Sequence, residues 1–320
     1  MEGFDPTGRG FPDDLMALRR ALWERRRFAE TLPAALHPRV VLRDAGGILH
    51  GPAAVAAAAL EQVAGSPDQR QLGEDVIWTG SEALGHVGSM RTLVLGHDSH
   101  PGLFGAPTGA ALRHRVMAEV YAKGGRISEI WQVTDTGAIL RARGETPEAF
   151  ARARLATLDP DTQPFTPEID SPSAYTGAGT TDGWASAFAD LLDGVMQGGF
   201  SAIPDQYDRA CQVSYPGGAE AHGADAAEAF WLGLRAAFPS AEFAVHHRIG
   251  MEEPLLPPRA ALRWSLTGRH EGFGPFGPPS GAQVHVMGLS HAEFGPRGLR
   301  REWTLFDETA VWLQIALGGG

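Results

Sequence analysis

Two short segments combine the residue types that proton chemistry needs: Trp131-Gln-Val-Thr-Asp135 and Trp303-Thr-Leu-Phe-Asp307. On an extended strand, positions four apart point to the same side, so each tryptophan and its aspartate can line one cavity. A carboxylate beside an indole loses part of its hydration, which raises its proton affinity toward neutrality. Such a group suits removal of a proton from a carbon next to a carbonyl, and its later return. That chemistry calls for no metal and no cofactor. The competing reading makes Trp131 and Trp303 core residues and lets the aspartates cap a turn or pair with arginine.

Four histidines, His246, His270, His285 and His291, fall on or near strands around the second segment, where any could donate to a developing enolate oxygen. His285 and His291 share strand parity. Whether their face meets Trp303 depends on the register of the hairpin at Gly295-Pro-Arg-Gly298, because a slip of one residue reverses it. His285 and His291 join Asp135 and Asp307 as candidate catalytic residues, with Trp131, Trp303, Phe104 and Phe276 as candidate substrate-binding side chains. The positions matching the two histidines in the first half are Arg113 and Glu119, so the two halves predict differently charged pockets.

Other chemistries find less support. Gly272-Phe-Gly-Pro-Phe-Gly277 has the glycine spacing of a dinucleotide loop, but prolines and a strand follow it where a helix is needed. His97, Asp98, His100 and the pair His246-His247 lack a zinc-binding helix motif or a matched ligand quartet. No nucleophile elbow occurs. The only lysine, Lys123, sits in a glycine-bearing turn, whereas imine chemistry needs a desolvated amine. The only cysteine, Cys211, predicts a buried spectator thiol.

The elements that must position these residues repeat along the chain. Gly-Ala-Pro-Thr-Gly at 105–109 returns as Gly-Pro-Pro-Ser-Gly at 277–281, and the two Trp-x-x-x-Asp segments keep the same 172-residue displacement. His50-Gly51 with His222-Gly223, Arg91 with Arg263 and Gly96 with Gly268 hold that register. Upstream it slips to 173, where Leu15, Leu18 and Leu22 match Phe188, Leu191 and Val195. Each copy opens with an amphipathic helix behind an acidic cap, Asp13 or Asp14 in one and Asp182 in the other. A second helix follows Gly51 and Gly223. Three strands then occupy 89–97, 113–122 and 126–135, and again 260–269, 283–294 and 299–308. Helices followed by an antiparallel meander predict an α+β fold, written twice. Residues 158–181, rich in Pro, Thr, Ser, Asp and Gly, predict a linker between copies at 1–157 and 182–320.

The stretch from Thr267 to Ile315, with its small loop, Pro-x-Gly turn, two strands, Trp-x-x-x-Asp and terminal segment, resembles the C-terminal half of SnoaL-like polyketide cyclases, in the nuclear-transport-factor-2-like superfamily. The first copy repeats it more loosely. The resemblance implies tandem cone-shaped domains, each with N-terminal helices on a curved, mostly antiparallel sheet of the cystatin-like roll type. It also implies cofactor-free aldol ring closure, with an aspartate near the C-terminal strand end as acid/base: Asp307, and Asp135 in copy one. Cyclases, ketosteroid isomerases, dehydratases and ligand-binding modules share this fold. The expectation is therefore a lyase or isomerase acting on a small hydrophobic carbonyl compound. Its rival is a non-catalytic ligand-binding or scaffolding protein. The copies are expected to pack as an intrachain pseudo-dimer, giving a monomer of 34.1 kDa.

Charge narrows the partners. A net charge of −11 offers no basic face to replace the counterions of a nucleic acid, and acidic membranes are disfavoured for the same reason. The acidic first residues and the lack of any apolar run of membrane-spanning length predict a cytoplasmic protein.

Overall fold

Apolar residues at positions 188, 191, 192 and 195 recur at helical spacing, and all four are 4% exposed or less, so this helix has one face to bury and buries it. The same stripe in the first copy, Leu15, Leu18 and Leu22, is likewise buried. A computed structural model describes residues 10–157, 164–181 and 183–318. Asp13 and Asp14, expected as caps, lie inside the first helical turn behind Gly10, where their charges complement the helix N-terminus. The expected cap at Asp182 lies outside the described residues.

The first copy runs α1 (Phe11–Arg19), a π-helical turn at Arg20–Glu24, α2 (Phe28–Ala35), β1 (Leu36–Asp44), β2 (Gly47–His50), α3 (Gly51–Gly65), β3 (Arg70–Ser81), β4 (Gly85–His97), β5 (Ala111–Lys123), β6 (Arg126–Thr134) and α4 (Thr136–Ala142). After α5 (Pro147–Leu155) the second runs α6 (Gly183–Met196), α7 (Ala202–Gln206), β7 (Tyr207–Tyr215), β8 (Ala219–His222), α8 (Ala224–Ala237), β9 (Glu242–Met251), β10 (Arg259–Arg269), β11 (Gln283–Gly295), β12 (Gly298–Phe306) and α9 (Glu308–Gly318). The six strands expected from the repeat are all present. Missing from that expectation are β1 to β3 and β7 to β9, the strands nearest the helices in sequence.

Each copy builds one six-stranded sheet, in the order β2-β1-β6-β5-β4-β3 and then β8-β7-β12-β11-β10-β9. Four strands form the antiparallel meander, and β1 and β7 add parallel to β6 and β12. The registers also repeat: Val94 faces His114 across β4 and β5, and Leu266 faces Val286 across β10 and β11. The chain is thus two α+β units with one topology.

Residues 10–134, with Ala138–Glu145 and Phe165–Thr176, form one compact unit. Asp135–Gly137, α5 and the chain from Gly177 onward form the other, in which α5 packs on α9. The stretch Phe165–Thr176, within the segment read as linker, is pinned on the first sheet. Arg43 there pairs with Asp170 at 2.5 Å and donates to the Ser171 carbonyl, the Ala174 amide donates to Glu129, and Tyr175 stacks on Tyr121.

In the second unit the core lies between the helices and the sheet face formed by Leu262, Trp264 and Leu266 on β10 and Val284, Val286 and Ala292 on β11. Cys211 is fully buried in that core, as a spectator thiol would be. Lys123 is exposed at the end of β5, beside the Gly124-Gly125 turn. Among the described residues no helix is long and apolar enough to cross a membrane, and no group of three or more His, Cys, Asp or Glu side chains is placed to hold a metal.

Gly288 on β11 faces Trp264 on β10, and a Cβ added there would overlap the indole ring. Gly288→Ala should therefore lower unfolding free energy by about 1–3 kcal/mol through overpacking, read by urea denaturation.

Candidate active site

Side-chain parity on β12 divides its polar residues. Glu302, Thr304 and Phe306 face the helix-covered core, while Trp303 and Leu305 take the opposite parity and Asp307 lies just past the strand end. Glu302 is fully buried, and its carboxylate is held by four donors. Tyr207 Oη donates to Oε2 at 2.6 Å and Tyr215 Oη to the same atom at 3.0 Å. The Trp231 indole donates to Oε1 at 3.2 Å and the Thr304 hydroxyl at 2.7 Å. The chain continues through Ser290, which exchanges a 2.7 Å hydrogen bond with Thr304 and accepts the Trp264 indole N–H at 2.9 Å.

The four donors come from three elements: β7, α8 and β12 itself. β7 runs parallel to β12, pairing Glu302 with Val213 and Leu299 with Tyr207, and it carries both phenols. The indole of Trp231 descends from α8. Aromatic packing then closes the surroundings: Tyr215 stacks on Phe230 with centroids 3.7 Å apart, and Trp231 lies 5.8 Å from Trp264. Phe276 joins this core against Phe238, Phe306 and Trp312.

Burial raises the Glu302 carboxyl above the ordinary carboxylate range, and its four hydrogen bonds only partly offset that loss of water. Burial, and then the Glu302 charge, push Tyr207 and Tyr215 well above the usual phenol value. The phenols therefore stay protonated as donors, beside a carboxyl able to exchange a proton nearer neutrality. A desolvated carboxylate beside an indole is the arrangement expected for the Trp-x-x-x-Asp segments. It occurs at Glu302 with Trp231, a residue the motif passes over.

The residues singled out from sequence stand elsewhere. His291 and Trp303 are direct cross-strand partners, so they share a face. His285 meets the Thr267 hydroxyl at 2.7 Å, and its backbone is clamped on both sides by the Gln314 amide of α9. Asp307 caps α9, with Oδ1 accepting the Thr309 and Ala310 amides at 2.8 and 3.1 Å and also the Thr136 hydroxyl. Asp135 is buried, and its two oxygens accept the successive amides of Gly217 and Gly218 at 2.7 and 2.9 Å. Both glycines have positive φ, which aims the two N–H groups at one anion. Trp131 lies beneath the Arg43 guanidinium, 5.0 Å from its ring centroid, and Arg43 pairs with buried Glu129 at 2.5 Å. The Phe104 carbonyl accepts from Arg143.

Glu302 has no counterpart in the first unit, where the matching residue is Ile130 and strand pairing sets Leu36 in the place of Tyr207. Alternation in Arg-Glu302-Trp-Thr304-Leu-Phe306-Asp was the available signal. Two polar residues share parity there with a core phenylalanine, which marks a strand turning polar groups inward.

A mixed six-stranded sheet under N-terminal helices, repeated in one chain, defines a doubled α+β fold with an internal polar site in its second copy. Residues 186–302, within the second unit, match the family model described as the SnoaL-like domain. Among solved structures, IdmH of Streptomyces antibioticus, whose assignment as a polyketide cyclase is provisional, is 21% identical, with a TM-score of 0.37 over 42% of this chain and 98% of that one. A SnoaL-like polyketide cyclase of Jannaschia, also provisionally assigned, is 17% identical, with a TM-score of 0.36 over 43% and 96%. A Catenulispora acidiphila protein described as having a ketosteroid isomerase-like fold is 12% identical, with a TM-score of 0.34 over 42% and 95%. Comparison with curated proteins gives no match.

Because its folded-state affinity for a proton is raised, Glu302 contributes stability that is complete below the unfolded carboxylate value and is lost as pH rises through the folded one. Glu302→Gln should flatten this part of the decline in stability above about pH 4.5, read by thermal denaturation across pH. Asp307→Ala should cost about 1 kcal/mol as a lost helix cap, read by urea denaturation.

Proposed function

We propose that this chain is a cofactor-free acid/base enzyme acting on a small hydrophobic carbonyl compound, a polyketide-cyclase-like lyase or isomerase. Copies at 1–157 and 182–320 are joined through 158–181, and the proton chemistry sits in the helix-covered interior of the second copy. The observation that carries this reading is Glu302: a fully buried carboxyl of raised proton affinity, bonded through one oxygen to two phenols. In the proposed step the Glu302 carboxylate takes a proton from the carbon next to a carbonyl. The electron pair of that C–H bond moves onto the carbonyl oxygen as an enolate, and the phenol of Tyr215, on the rim of the network, donates a hydrogen bond to it. The proton then returns to carbon, or the enolate carbon attacks a second carbonyl to close a ring. The rival location is the opposite face of the sheet, with Asp307 as base and His291 or His285 as the polarising donor, and with Asp135 in the first copy.

A second reading rests on the same interior. Four donors satisfy Glu302 and aromatic rings pack around it, as they would in a structural polar network of a ligand-binding or scaffolding protein.

The discriminating measurement is deuterium wash-in from D2O at the α-carbon of ethyl acetoacetate, 2-tetralone and cyclohexanone, followed by mass spectrometry. Exchange above the buffer rate should fall about 10²–10⁴-fold in Glu302→Gln and stay within about threefold in Asp307→Asn. Loss in Asp307→Asn with retention in Glu302→Gln moves the chemistry to the rival face. No exchange with any of these ketones overturns the enzymatic reading in favour of the second.

A further inference from the structure

The first unit carries a different buried polar group on the corresponding face of its sheet. Arg19, at the end of α1, is 6% exposed, and one of its terminal nitrogens donates to Gln71 Oε1 and Thr92 Oγ1, both at 2.9 Å. Its other terminal nitrogen, Nη2, is buried and has no hydrogen-bond partner among the described residues. Burial lowers the Arg19 guanidinium to about 10, a loss that the nearby Glu24 charge only partly offsets, so it remains a cation at neutral pH in a desolvated place, with no carboxylate in ion-pair contact among the described residues. A buried cation left so is costly unless something brings the opposite charge.

His114 on β5 is 4% exposed, and neither ring nitrogen has a partner among the described residues. It is the direct cross-strand neighbour of Val94 on β4, which in turn neighbours Gln71 on β3. Thr92, two residues from Val94, therefore lies diagonally beside His114, about 7–8 Å away between Cα atoms. The same parity of β4 faces α1, since a Cβ at Gly88 would meet Phe11 and Leu15. Arg19 and His114 thus address one region between α1 and the sheet. Burial lowers His114 to about 4, so the imidazole is neutral at pH 7, with one nitrogen to donate and one to accept.

The chain around Arg19 departs from regular geometry. A π-helical turn spans Arg20–Glu24, and Arg26 has a φ of +56°. Arg26 thereby reaches the carbonyls of Pro67 and Gln69 at 2.8 and 3.1 Å, while the Gln69 side chain accepts from Gln71. π-turns and left-handed non-glycine residues gather at functional sites, where surrounding contacts offset their strain.

We infer that the interior of the first unit is a binding site for a small organic monocarboxylate on an apolar body, its carboxylate taking Arg19 Nη2 and its body lying against His114. One desolvated guanidinium balances one negative charge. A phosphate would bring nearly two, and the other buried arginines of this unit, Arg91 and Arg43, are already paired with Glu74 and Glu129. The second unit cannot repeat the site, because the positions of Arg19, Gln71, Thr92 and His114 there hold Leu192, Phe243, Trp264 and Val286. The inference is independent of any chemistry at Glu302 and is read by binding, not turnover.

The test is isothermal titration of the full chain with benzoate and hexanoate, with methyl benzoate and inorganic phosphate for comparison. Either carboxylate should bind and raise the melting temperature, and methyl benzoate and phosphate should bind at least tenfold more weakly. Arg19→Met should weaken carboxylate binding at least tenfold, and His114→Leu several-fold at unchanged fold by circular dichroism. Should Arg19→Met fail to fold, His114→Leu decides. Absence of binding by both carboxylates, equal binding of methyl benzoate, tighter binding of phosphate, or unchanged affinity in the folded variants overturns the inference.

Discussion

A single carboxylate buried without a basic partner governs the second unit. Glu302 is held by neutral donors alone among the hydrogen bonds described above: two phenols, an indole and a hydroxyl. Each has to arrive from a fixed direction, because a buried acceptor left unmet costs more than a met one contributes. That requirement sets β7 beside β12, brings α8 down with Trp231 pointing inward, and makes Ser290 and Thr304 hydroxyl-bearing positions among the core-facing Val284, Val286, Ala292 and Phe306. The aromatic residues that surround the network keep water from competing with it.

The two copies share topology and register while exchanging the character of their interiors. Where the second unit holds Tyr207, Trp231, Ser290 and Glu302, the first holds Leu36, Ala59, Ala118 and Ile130. Where the first holds a buried arginine, a glutamine, a threonine and a histidine, the second is hydrophobic. One interior is built around an anion supplied by the chain, the other around a cation. A duplicated fold leaves each copy free to specialise, since the backbone hydrogen bonds of the sheet do not depend on what its inner face carries.

Much of the architecture was readable from residue order. The repeat of Gly-x-Pro-x-Gly and Trp-x-x-x-Asp, with alternating runs before each Trp, located β4 to β6 and β10 to β12 and the helix stripes. The strands β1 and β7 escaped because each breaks its alternation: the pairing of β1 with β6 shifts register between Leu36 and Val41, and Pro38 lies inside it. The site was harder. A motif draws the eye to the residues that recur: Asp307 accepts the amides that open α9, and Asp135 accepts those of Gly217 and Gly218 far along the chain. Glu302 occurs in one copy only, and its partners lie 87 and 95 residues away on β7 and 71 away on α8, so no local pattern joins them.

The π-helical turn can absorb one residue of a two-residue discrepancy in chain length. From Leu15 to Leu36 the first copy spends two residues more than the second does from Phe188 to Tyr207, although Leu36 and Tyr207 hold matching strand positions and Leu15 and Phe188 match in the sequence repeat. A wider coil lets a helix absorb an inserted residue without opening a loop. Every side chain beyond the insertion is then swung around the axis by roughly a quarter turn or more, at about 100° per residue. An insertion of this kind leaves the sheet register untouched and re-aims what the helix presents to it, a small edit by which one ancestral hollow can acquire a new lining.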